Sequence, residues 1–76
     1  MDIKNFIENF AAQFDYTYAE VFTAETIFRD LEEWSSLIAL SGIAMVDEEY
    51  DVTLKGDDIR NANTINDLFN AVKAKM

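Results

Sequence analysis

The sequence predicts an all-α fold: a small four-helix bundle with a long first loop and a short third helix, taken up by residues 1–76 as a single domain. Apolar residues recur at three-and-four spacing in three separate segments, and residues suited to capping a helix stand at the start of each. With 76 residues there is room for one modest core, because a chain of this size buries roughly 60% of its unfolded surface.

The first helix places Ile3, Phe6, Ile7, Phe10 and Phe14 on one face, with Asp2 positioned to cap it or to favour its dipole. From Asp15 to Trp34 this pattern breaks into the anchors Tyr16, Tyr18, Val21, Phe22, Ile27, Phe28 and Leu31, separated by Thr, Glu and Asp. Such a pattern predicts a long connection pinned to the core, with one short turn near Ala24 to Phe28. Loops of this length are uncommon in compact domains and usually serve function.

Ser36 to Tyr50 is the predicted second helix, with Ala39, Ile43, Val46 and Tyr50 as its core stripe. Leu37, Leu40 and Ala44 form a separate stripe, flanked by Ser36, Ser41, Asp47 and Glu48. Ile38 and Met45 carry apolar character further round, so the helix is either enclosed by its neighbours or offers an oily strip to a partner. In "DVTLKGDD" the turn falls to Gly56, the residue free to take a positive φ, and "DDIRNA" allows only a short third helix. The last helix opens with Thr64 and Asp67, a capping box with Asp in place of Glu or Gln, ahead of Ile65, Leu68, Phe69 and Val72. Lys73 and Lys75 suit its C-terminal dipole.

Fifteen acidic against six basic residues give a formal charge of −9, which repels nucleic acid and anionic membranes and favours basic protein surfaces. Half the residues are hydrophobic and ten are aromatic, too many for an acidic disordered tail. Without cysteine or histidine the chain has no disulfide, no thiolate or imidazole metal site and no nucleophilic catalysis that depends on them. A reducing cytoplasm is the expected compartment. The start "MDIKNF" lacks a basic region followed by an apolar run, so an unprocessed chain with no membrane insertion is expected.

"DVTLKG" has the glycine of an EF-hand loop, but Lys55 stands where a ligand belongs and Ala62 where the bidentate Glu should be. Asp47, Glu48, Glu49 and Asp51 are read as a solvated face instead of a metal cage. The pairs Glu32–Glu33 and Asp57–Asp58 are adjacent in sequence and do not oppose one another across a substrate, so the chain is expected not to be an enzyme. Trp34 is expected to close the end of the long loop over the core. Either hydroxyl of Ser35 and Ser36 could cap the second helix. A serine at a helix start is also a place where a phosphate ester is favoured by the dipole and the free amides, and the stripe Leu37, Leu40, Ala44 runs from that point.

In these residues the chain resembles the acyl carrier protein family, including the peptidyl carriers. "WSSL" stands for the family's Asp-Ser-Leu at the start of the second helix, "VDEEYDVTL" for its acidic patch and following turn, "DDI" for the short third helix and "NTINDL" for the last helix start. The resemblance spans essentially the whole chain. It implies that Ser36 carries 4′-phosphopantetheine, attached by a phosphopantetheinyl transferase that uses coenzyme A and a divalent metal ion. The terminal thiol of that arm would hold an acyl or aminoacyl group as a thioester, which explains how a chain without cysteine handles such cargo. Leu37, Leu40, Ser41, Ala44, Asp47 and Glu48 match the positions by which carriers meet loading, condensing and transferring enzymes through basic docking patches, and a monomer is implied. Three departures stand out: Ser35 at the usual Asp, Ser41 at a commonly acidic position, and Gly42 at a commonly large aliphatic one, where space within the bundle is expected. These departures point towards a specialised lipid, polyketide or peptide pathway instead of bulk fatty acid biosynthesis. The rival expectation is an unmodified acidic interaction module that binds a basic partner; a third is a degenerate carrier kept for scaffolding.

Overall fold

In the computed structural model, which describes residues 2–76, the carboxylate of Asp2 accepts the Lys4 amide at 3.1 Å and opens α1 (Ile3–Ala11). Phe6 and Phe10, four apart, are the buried side chains of this helix, while Ile3 and Ile7 flank them half-buried. Phe14 lies just past the helix end, where its amide returns to the Ala11 carbonyl at 3.0 Å, and its ring remains in the core.

The connection from α1 to the second helix is held by polar clamps as well as by its buried aromatic residues. Phe22 and Phe28 are buried and Leu31 is half-buried, but Tyr16 and Tyr18 are 68% and 74% exposed, and Val21 and Ile27 are exposed as well. The expectation that all seven anchor the loop is therefore corrected at those four positions. The Glu33 carboxylate instead gathers the amides of Asp15, Tyr16 (3.1 Å) and Thr17 (3.0 Å) and the Thr17 hydroxyl (2.7 Å). Thr26 donates its hydroxyl to the Val21 carbonyl at 2.7 Å and accepts the Thr23 amide at 2.8 Å. The turn expected near Ala24 to Phe28 is divided. A bend is closed by the Thr26 amide on the Thr23 carbonyl, Ile27 is extended and bridges to Thr64, and 3-10 turns form at Ala19–Val21 and Phe28–Asp30. The carbonyl of Ile27 opens the second of these turns by accepting the Asp30 amide at 3.0 Å, while the carbonyls of Ala24 and Thr26 accept the amides of Asn66 (2.9 Å) and Ile65 (3.1 Å) and tie the loop to the last helix.

The next helix, α2, runs Ser36–Tyr50, within the expected bounds. Its buried residues are Gly42, Met45 and Val46, with Ala39, Ile43 and Tyr50 only half-buried, so the core face is rotated from the predicted stripe. The ring of Phe10 packs at this rotated face. It lies 3.7 Å from the point a Cβ on Gly42 would occupy, an ordinary van der Waals distance, where α1 packs against α2. The space expected at Gly42 is thus filled by Phe10.

Asp51 ends α2 in the left-handed conformation, with φ 56° and ψ 40°, and its amide bonds the Asp47 carbonyl at 3.0 Å. Gly56 was expected to take the positive φ, but it does not; it is the first residue of α3 (Gly56–Asn61). A short acidic residue tolerates the left-handed region better than most, so no glycine is needed at this bend. Val52 and Leu54 are buried between the two helices in sequence, and Ile59 is the buried residue of α3.

α4 (Ile65–Ala74) begins with the predicted box: Thr64 Oγ1 accepts the Asp67 amide at 3.1 Å, and Asp67 accepts the Thr64 and Asn63 amides, both at 3.1 Å. Ile65, Leu68, Phe69 and Val72 pack inward, and α4 contacts both α1 and α3. A chain of rings ties the layers together: Phe69 to Phe6 at 5.6 Å, Phe10 to Phe14 at 5.5 Å and Phe10 to Phe28 at 5.8 Å. Each such pair adds about 0.5–1.5 kcal/mol beyond its buried area. The result is all-α, with four helices and no strand among the described residues.

Candidate functional site

The two serines before α2 have different roles. Ser35 is in extended backbone, φ −156° and ψ 170°, and its hydroxyl accepts the Ile38 amide at 3.2 Å, which makes it the N-cap. Ser36 is the first helical residue, exposed, and its hydroxyl makes no hydrogen bond among the described residues. Because the first amides of a helix have no partner within it, those of Ser36 and Leu37 also lack an acceptor among the described residues. A free hydroxyl therefore stands at the positive end of a long helix.

Leu37 and Leu40 are 74% and 62% exposed, Ala44 is exposed, and this ridge leads from Ser36 to Asp47 and Glu48. At 1.5 Å per residue, Asp47 lies roughly 16 Å along the axis from Ser36. Ser41 is half-buried and sits beside the ridge, not on its crest. Among the described residues the ion pairs are Arg60–Asp57 and Lys75–Asp58, the latter at 3.5 Å, so Asp47 and Glu48 face solvent without a cation.

On the other flank of Ser36 lies an open groove of about 390 Å³ between α2 and α3. Its apolar lining is Trp34, Ala39, Leu40, Ile43 and Ile59; Ser35, Ser36, Gly56, Arg29 and Arg60 complete it. Trp34 is half-buried, with its ring 4.8 Å from that of Phe28 and 6.3 Å from that of Phe10, and so closes the end of the loop over the core as expected. Arg29 caps the end of α3: it donates to the carbonyls of Ile59 (2.8 Å) and Arg60 (3.4 Å) and to Asn63 Oδ1 (3.3 Å). Neither arginine was singled out by sequence reasoning, although a signal was present, since the chain has only two.

Three of the four carboxylates considered for catalysis, Glu33, Asp57 and Asp58, have structural partners. Glu33 is the loop clamp; burial pushes its pKa up, but the hydrogen bonds from Asp15, Thr17 and Tyr16 together outweigh this and hold it below the ordinary value. Asp58 accepts the Lys55 amide at 2.9 Å, and Asp57 pairs with Arg60. Asp67 is held below its ordinary value by the Thr64 and Asn63 amides. Among the described residues no group of three or more acidic side chains is arranged to hold a metal ion, and no helix is long and apolar enough to cross a membrane. No family model matches this chain, and neither does any curated protein or solved structure.

Proposed function

We propose that this chain is a carrier of the acyl carrier protein kind, monomeric and cytoplasmic, with 4′-phosphopantetheine esterified to Ser36. The observation that carries this reading is the division of labour at the start of α2: Ser35 caps, and the Ser36 hydroxyl is left exposed and unbonded among the described residues. The residues present fit the group. Ser36 offers the attachment oxygen, the unpartnered amides of Ser36 and Leu37 favour an adjacent phosphate, and the groove beside Trp34 gives the arm an apolar wall. When bound, the group supplies a thiol that holds acyl or aminoacyl cargo as a thioester. The chain itself then acts by presentation. Leu37, Leu40 and Ala44 provide the apolar centre of a docking surface, and Asp47 and Glu48 attract basic patches on the loading, condensing and transferring enzymes of a fatty acid, specialised lipid or polyketide pathway.

Intact mass after incubation with coenzyme A, a divalent metal ion and a promiscuous phosphopantetheinyl transferase tests the reading. One phosphopantetheine is expected on the wild type and on Ser35→Ala, and none on Ser36→Ala. An unshifted wild type, or a shift that persists in Ser36→Ala, overturns it. The unpaired charge of Asp47 and Glu48 also favours a second reading, an acidic module never modified; binding to a basic partner would then survive Ser36→Ala but not charge reversal at Asp47 and Glu48.

A further inference from the structure

The chain has two arginines, and both line the groove between α2 and α3; none of its four lysines does. In a protein of formal charge −9, this concentrates guanidinium groups at one apolar recess. Arg29 has no carboxylate at ion-pair distance among the described residues, for its partners are the neutral Ile59 and Arg60 carbonyls and the Asn63 side chain. Arg60 pairs with Asp57, but both side chains are largely exposed, at 73% and 77%, and such a pair is weak enough to exchange for another anion. The same groove is lined by Trp34, Ala39, Leu40, Ile43 and Ile59, and by Ser36.

We propose that this groove binds a small amphiphilic oxyanion, an apolar chain or ring ending in a carboxylate or phosphate, with its apolar part along α2 and α3 and its oxyanion on Arg29 and Arg60. Three physical points support that class. A planar guanidinium matches carboxylate and phosphate geometry with paired donors. A purely apolar occupant would shield these cations from water and return nothing for the lost hydration. The overall negative field repels anions at the remaining surface, so local cations are required if an anion is to bind at all. Binding here is non-covalent and needs no group on Ser36, although the carrier reading gives the arm the same apolar wall.

Trp34 is the only tryptophan of the chain and lines the groove, so its fluorescence reports occupancy in the whole protein without a label. Decanoate, decyl phosphate and decanol are titrated below the concentrations at which they self-associate. At least one of the two anions is expected to give a saturable change, about tenfold tighter than decanol, the effect of one charge-assisted hydrogen bond. The tighter of the two anions identifies the head group. Arg60→Gln, and Arg29→Gln with its helix content checked by circular dichroism, should each bring anion affinity down towards that of decanol. The fluorescence titration uses unmodified protein and the phosphopantetheine mass gain is read in a separate incubation of the wild type, so failure of either reading is seen separately. Equal binding of decanol and the anions, no saturable response, or folded arginine variants that bind like the wild type would overturn the proposal.

Discussion

Ser35 turns its hydroxyl back to the Ile38 amide and Ser36 does not, so adjacent and chemically identical residues should respond differently to the same substitution. Ser35→Ala should lower stability by about 1 kcal/mol in thermal or urea unfolding, through loss of the cap. Ser36→Ala should change it by no more than about 0.5 kcal/mol. Gly42 gives a second contrast. A methyl group there meets Phe10 at an ordinary 3.7 Å, so Gly42→Ala should stabilise α2 by roughly 0.5–1 kcal/mol through helix propensity alone. The branched atoms of Gly42→Leu run into the Phe10 ring and should cost about 1–3 kcal/mol. Asp51 holds a positive φ that glycine takes without strain, and Asp51→Gly should raise the unfolding midpoint.

Helix ends were legible in the sequence wherever the signal is local. Asp2, Thr64 and Asp67 satisfy amides within a few residues, and their geometry follows from spacing alone. The orientation of α2 was not legible, because apolar residues surround that helix and its buried face meets residues from other elements, the Phe10 ring beside Gly42 among them. The loop misled for a related reason: Tyr16 and Tyr18 read as anchors by composition, whereas Glu33 holds that segment through amides that no side-chain pattern reveals. This clamp has a pH signature. Glu33 and Asp67 hold their protons less tightly folded than unfolded, so their contribution is complete above the ordinary carboxylate pKa of about 4 and is lost as pH falls through their lowered folded values. In urea unfolding across pH 2.5–7, Glu33→Gln should lower the midpoint at neutral pH, and the gap to the wild type should close at the acid end.

At the scale of the whole molecule, fifteen carboxylates against six cations set how it meets other proteins. On the proposed carrier reading, the rate of phosphopantetheine attachment by the transferase should fall several-fold with Asp47→Lys and Glu48→Lys combined, and raising the salt should slow the wild type more than the variant. The spare ridge and the exposed serine were readable because they lie on one helix at regular spacing. The arginine-lined groove needed the fold, since Arg29 and Arg60 come from separate elements. The carbonyls of Ala24 and Thr26 complete the first turn of α4 from outside, satisfying amides that in most helices face water. In hydrogen–deuterium exchange the amides of Ile65 and Asn66 should therefore be slow, and should speed up together whenever the loop lifts, so that two positions near the C-terminus keep time for a segment near the middle of the chain.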